Sequence, residues 1–140
     1  MYYVNIEQIT ARLDAVAGLS EAITELERSW KGSALEGLAQ ERVLHLAIEI
    51  VTDVGNYLID GFIMRDASSY EDIIEITGEA GVYPPEMLPV LTELVKLRRP
   101  LVQDYYDWPR HTLHPLTSQL AKLLLTYKSA VEQYLERELL

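Results

Sequence analysis

Residues 98–105 read Arg-Arg-Pro-Leu-Val-Gln-Asp-Tyr, and three of these side chains could work together on a phosphate. Arg98 carries a planar, permanently charged fork that matches phosphate oxygens. Gln103 can hydrogen-bond a phosphate or a base edge, but it cannot take up and return a proton near pH 7 as imidazole does. Tyr105 adds a phenol, and Arg99 a second cation beside the first. An arginine set among apolar neighbours can be positioned for a phosphate, and Gln103 could add a hydrogen bond but no proton transfer. Pro100 removes a backbone donor and kinks any helix that joins Arg98 to Gln103.

The helix under these residues must also hold Arg98. Met87, Leu91, Leu94, Leu101 and Tyr105 share its row, while Thr92, Lys96, Arg99, Gln103 and Tyr106 form a separate polar row. A cation facing apolar surroundings is costly without a partner, so a carboxylate is expected. Arg42, His45, Glu49, Asp53, Asn56 and Asp60 recur at three and four, one polar stripe on an otherwise apolar helix. Glu49 or Asp53 is therefore expected to pair with Arg98, either as a staple between helices or as its orienting group. Tyr105, on the apolar row, reads as a buried ring, and Tyr106 and Trp108 as packing or interface aromatics rather than base-stacking platforms. His111 and His114 read as partly exposed groups at a helix start, not as replacement proton carriers. His45, Glu49 and Asp53 face no second ligand-rich helix, so no metal is expected.

The elements that position these residues are helical almost throughout. Ile6, Ile9, Leu13, Val16, Leu19, Ile23, Leu26 and Trp30 form one stripe, broken at Lys31-Gly32-Ser33. A second helix is predicted from about Ala34 to Met64, apolar on several faces, as befits a central helix or one covered by a partner subunit. Ser69-Tyr70-Glu71-Asp72 resembles a capping box for a short helix ending near Gly78 or Gly81. Glu71, Asp72, Glu75 and Glu79 read as its solvated face. Pro84 and Pro85 open a fourth helix bearing the 98–105 segment, and Leu113, Leu116, Leu120, Leu123, Tyr127, Val131 and Tyr134 mark a last one. The prediction is a single all-α domain over residues 1–140, an antiparallel bundle of four main helices and a short one.

Composition narrows the function. There is no cysteine, which excludes disulfides and thiolate metal sites. The net charge of -10 opposes a general nucleic-acid binder. Residues 96–114 hold four basic against two acidic side chains, +2 in a body that is otherwise -12, which suits a focused anion pocket. No apolar run reaches the ~20 residues of a membrane span, and Met1-Tyr2-Tyr3-Val4-Asn5 runs straight into amphipathic sequence, so a cytoplasmic protein free of the membrane is expected.

The 98–105 segment resembles the Arg-x4-His-x-Tyr signature of the HepT-like branch of the HEPN superfamily, with Gln103 at the histidine position. Arg42 to Asn56 looks like that family's second helix, and Ser69 to Val82 like its connecting hairpin. The resemblance implies a homodimer whose signature helices face each other, with Arg98, Gln103 and Tyr105 of each subunit in a composite ribonuclease site. Glu49, Asp53 and Arg99 would support it. In the family the histidine serves acid–base cleavage of RNA without a metal or other cofactor, and the arginine steadies phosphate charge. Gln103 then implies weak or lost cleavage of single-stranded or transfer RNA. The resemblance also makes Tyr105 the site at which a minimal nucleotidyltransferase antitoxin would add AMP. A catalytically silent nucleotide- or RNA-binding module, a protein that docks such a transferase, and a metal-dependent bundle enzyme stand as alternatives.

Overall fold

Ile9, Leu13, Val16 and Ile23 fall on the buried face of α1 (Ile6–Ser29). Asn5 starts this helix by accepting the Gln8 N–H at 3.2 Å. The predicted break follows, and α2 (Ala34–Gly61) opens with a capping box. Ser33 Oγ accepts the Glu36 N–H at 3.1 Å, while Glu36 Oε1 accepts the N–H of Ser33 at 2.9 Å and of Lys31 at 3.0 Å. Those backbone donors pull the Glu36 carboxyl below its usual range. Next come α3 (Tyr70–Glu79), α4 (Leu88–Lys96) behind a 3-10 turn at Pro85–Met87, and α5 (Thr117–Leu139). The computed structural model describes residues 2–139, and no strand occurs among them.

The broad apolar surface of α2 is covered from within the chain. Leu44, Ile48, Val51, Val54 and Leu58 are all fully buried, and α2 touches each of the other four helices. Its breadth therefore carries no argument for a partner subunit. At Gly55 the approach of α3 is so close that an added Cβ would run into Ile73. On the opposite side α5 sends Tyr127 into the core, where its hydroxyl donates to the Val51 carbonyl at 3.3 Å and burial pushes its pKa up. Each buried side chain of this size contributes roughly 1.5–3 kcal/mol of transfer free energy.

The fourth helix departs from expectation. Met87, Leu91, Leu94 and Leu101 are buried as their spacing predicts, but the α-helix stops at Lys96. Pro100 has no N–H to offer the carbonyl four residues back. The chain answers with a π-turn at Arg99–Gln103, closed by the Asp104 N–H on the Arg99 carbonyl at 3.0 Å. A 3-10 turn at Tyr105–Asp107 follows. The wider turn shifts the register, so Tyr105 leaves the apolar row and is 59% exposed rather than buried.

The segment after this turn is fastened to the start of α2. Gln40 is fully buried: its amide nitrogen donates to the Thr112 carbonyl at 3.0 Å, and its oxygen accepts the His114 N–H and the Thr117 hydroxyl, both at 2.7 Å. Arg110 donates to Glu41 through two nitrogens, one of them at 3.0 Å. The Arg110 backbone crosses Gly37 so closely that no Cβ would fit between them.

A second clamp sets the start of α3. Ser69 Oγ accepts the Asp72 N–H at 3.0 Å, the first half of the expected capping box. Asp72 does not complete it; its carboxylate takes the Ser68 N–H at 2.9 Å and a two-pronged contact from Arg65 at 3.0 and 2.9 Å. Of the four acids read as a solvated face, Asp72 is thus an anchor, and Arg65 and the Ser68 amide hold its pKa down at about 2.

Two outcomes are expected. Gln40→Leu leaves the His114 amide and the Thr117 hydroxyl buried without a partner, and should lower unfolding free energy by about 2–3 kcal/mol in urea titrations. Asp72 has a depressed folded pKa, so its stabilisation is complete above about pH 4 and lost as pH falls through about 2. The Tm gap between the parent and Asp72→Asn should therefore be steady at neutral pH and close as pH drops through that window.

Candidate functional site

Arg98 ends up where α4 hands over to the π-turn, next to the first residue of α3. Its guanidinium lies over the Tyr70 ring, 4.3 Å from the centroid. Its Nε is buried without a hydrogen-bond partner, and among the described residues no carboxylate pairs with it. The expected partners are engaged elsewhere, which corrects that expectation. Asp53 accepts from Arg12 of α1 at 3.3 Å, and Glu49 pairs with His45 at 3.3 Å one turn before it on α2. The reason is geometric: the polar stripe of α2 borders α1, which brings Arg12 to it first. With Asp53 held by Arg12, His45, Glu49 and Asp53 do not converge on a common point; among the described residues no three such side chains do.

Gln103 closes the π-turn and is exposed. Tyr105 and Tyr106 stand beyond it, exposed, their rings edge to face at 5.8 Å. The turn thus presents Arg98, Gln103 and Tyr105 along one short stretch of backbone, with Tyr105 accessible. The local positive charge is thinner than the count of basic residues implies. Arg99 lies 3.6 Å from Asp104 across the turn, and Arg110 is bound to Glu41, which leaves Lys96 and Arg98 without an acidic partner in this segment among the described residues. Arg99 therefore serves a surface ion pair of small energetic value, and Arg98 is the cation with the most defined setting.

The two nearby histidines each make a defined local contact. His111 Nδ1 lies 2.8 Å from the Gly32 carbonyl, which can only accept, so that nitrogen carries the proton. His114 Nδ1 accepts the Leu116 N–H at 3.0 Å, and its ring stacks on Trp108 with centroids 5.8 Å apart. Burial lowers its pKa, against an opposing pull from Glu93, and favours the neutral ring. Both side chains are occupied in shaping the loop.

Tyr70 is the site residue that sequence reasoning missed. It was legible only as a position in a capping box; nothing local says that the start of α3 meets the end of α4. Among the described residues no helix is long and apolar enough to cross a membrane.

Comparison with known proteins identifies the family and the fold. Residues 6–113 match the family model described as Ribonuclease HepT-like. The protein named Putative RNase YutE of Bacillus subtilis (strain 168) is 33% identical over 142 aligned positions, spanning 99% of this chain and 95% of its own. The solved structure of YutE from Bacillus subtilis, described as a cytosolic protein of unknown function, superposes with a TM-score of 0.86 at 32% identity, over 99% of this chain and 96% of that one. A family match over most of the length, a full-length relative and a shared all-helical fold converge, and the chain belongs to the ribonuclease HepT-like family.

Proposed function

We propose that this protein retains the phosphate-binding half of a HepT-type RNA-cleavage site and lacks its proton carrier. The observation that carries the reading is the state of Arg98: a guanidinium fixed on an aromatic ring, with no carboxylate neutralising it, on the same turn as an exposed amide. Cleaving a phosphodiester requires a proton to be taken from the attacking hydroxyl and another delivered to the leaving oxygen. Gln103 can hold either oxygen by a hydrogen bond but can do neither transfer. Positioned acid–base assistance is worth about 100- to 10,000-fold, so cleavage by the parent should be weaker by that factor than in a member with histidine. The substrate in this reading is single-stranded or transfer RNA and the setting cytoplasmic. The working unit is a homodimer in which Arg98, Gln103 and Tyr105 of both subunits border one cleft. The exposure of Tyr105 and Tyr106, large rings left uncovered by their own chain, supports such an arrangement.

A second reading draws on the same exposure. A 59% exposed Tyr105 presents its phenol to solvent, as a minimal nucleotidyltransferase that adds AMP to it would need. In that case the protein acts through docking, and the pocket binds RNA or nucleotide without turnover.

Degradation of total RNA and tRNA in EDTA, compared across the parent, Arg98→Ala, Gln103→His and the double variant, separates these readings. Gln103→His should cleave at least about 100-fold faster than the parent, and Arg98→Ala should remove that gain. Cleavage by the parent that equals Gln103→His and vanishes in Arg98→Ala would overturn the view that the glutamine disables the site. A silent Gln103→His would move the assignment to docking.

A further inference from the structure

Three arginines among the described residues lie over aromatic rings, and they are not held alike. Arg12 sits 5.2 Å from the Tyr57 centroid and also donates to Asp53 at 3.3 Å. Arg137 sits 5.3 Å from the Tyr134 ring and 3.5 Å from Glu138. Arg98 is nearest to its ring, at 4.3 Å, and has no carboxylate. A carboxylate partner would occupy two guanidinium donors and cancel the charge. A ring face holds the cation through its quadrupole, leaving the charge intact and the terminal N–H groups without a carboxylate, while the Nε–H of Arg98 is itself buried.

We propose that Tyr70 is the positioning residue of this site, its ring holding Arg98 in place of a carboxylate so that the guanidinium stays available to an RNA phosphodiester. The proposal rests on the reading of Arg98 as the phosphate-binding group. The start of α3 is built to fix that ring. Tyr70 is the first residue of the helix; Ser69 caps the amide of Asp72, and the Asp72 carboxylate is gripped by Arg65 and the Ser68 amide. The close approach of Ile73 to Gly55 seats α3 on α2, and α3 in turn packs against α4. The chain thus carries two rigid supports to one stacked pair, with Tyr70 on one helix start and Arg98 on the other helix end. Tyr70 is 43% exposed, so its replacement leaves the core untouched.

Fluorescence anisotropy with a labelled single-stranded oligouridylate at low salt tests this on the parent, Tyr70→Phe, Tyr70→Leu, Arg98→Ala and Tyr70→Leu/Arg98→Ala. Tyr70→Phe keeps the ring face and should bind within about twofold of the parent. Tyr70→Leu should bind about fivefold more weakly. The double variant should be no weaker than Arg98→Ala alone, since the tyrosine acts only through the arginine. NMR of the arginine side chains supplies a readout that mere loss of stability would not move: the Arg98 Nε–H signal carries the ring-current shift of Tyr70, kept in Tyr70→Phe and lost in Tyr70→Leu. Weak binding by Arg98→Ala together with parental binding by Tyr70→Leu would overturn the role of Tyr70 and leave the phosphate reading standing. Parental binding by Arg98→Ala would overturn the phosphate reading itself, and a Tyr70→Phe as weak as Tyr70→Leu would overturn the ring-face hold.

Discussion

The girth of α2 is the constraint on which the other elements depend. A helix of 28 residues that is apolar on most of its circumference must be covered on those faces, and this chain covers them with its own four remaining helices. The polar stripe from Arg42 to Asp60 is the strip left open, and it lies beside α1. Two of its carboxylates are engaged there, Asp53 by Arg12 of α1 and Glu49 by His45 of α2 itself. The same helix anchors the loop that follows the 98–105 segment, through Gln40 and Glu41 at its first turns. One central rod thereby settles both which acids are unavailable to Arg98 and where the loop beyond Arg98 must run.

Pro100 gives that outcome its local form. An uninterrupted α-helix would have kept Tyr105 on the row of Leu94 and Leu101, facing the core. The missing donor turns the helix into a π-turn, and Gln103 and Tyr105 emerge at the surface within a few residues of Arg98 along the chain. Irregular backbone of this kind places side chains where a regular helix could not. Here it creates a short outward-facing edge in a domain that is otherwise regular.

The electrostatic setting follows from these contacts more than from the count of charges. A body at -10 repels nucleic acid at long range, and within the 96–114 segment Asp104 and Glu41 take up two of the four cations. What remains is a point-like positive feature at Arg98. Such a feature can hold a phosphate, provided its charge is preserved at close range. The ring of Tyr70 meets that condition and a buried carboxylate would not. The proposed reading, a binding edge without a proton shuttle, joins this setting to the chain's membership of the ribonuclease HepT-like family.

Sequence alone determined the features that depend on neighbours within one or two turns. The stripe Ile9, Leu13, Val16 and Ile23, the break at Lys31-Gly32-Ser33, the cap at Ser69 and the buried row Met87, Leu91, Leu94 and Leu101 all occur where spacing puts them. The 98–105 motif is likewise a local pattern, and its role as a site is the proposal made above. The partner of Arg98 was not legible, nor was the exposure of Tyr105. Residue type pointed to Glu49 and Asp53 and gave no sign of Tyr70, and only the packing of α1 against α2, and of α3 against the end of α4, decided the neighbour. Helical period and caps arise from contacts three or four residues apart, which the order of residues encodes directly. The pairing of a charge is decided between helices, and for residues 28 positions apart such as Tyr70 and Arg98 it exists only once the chain has packed.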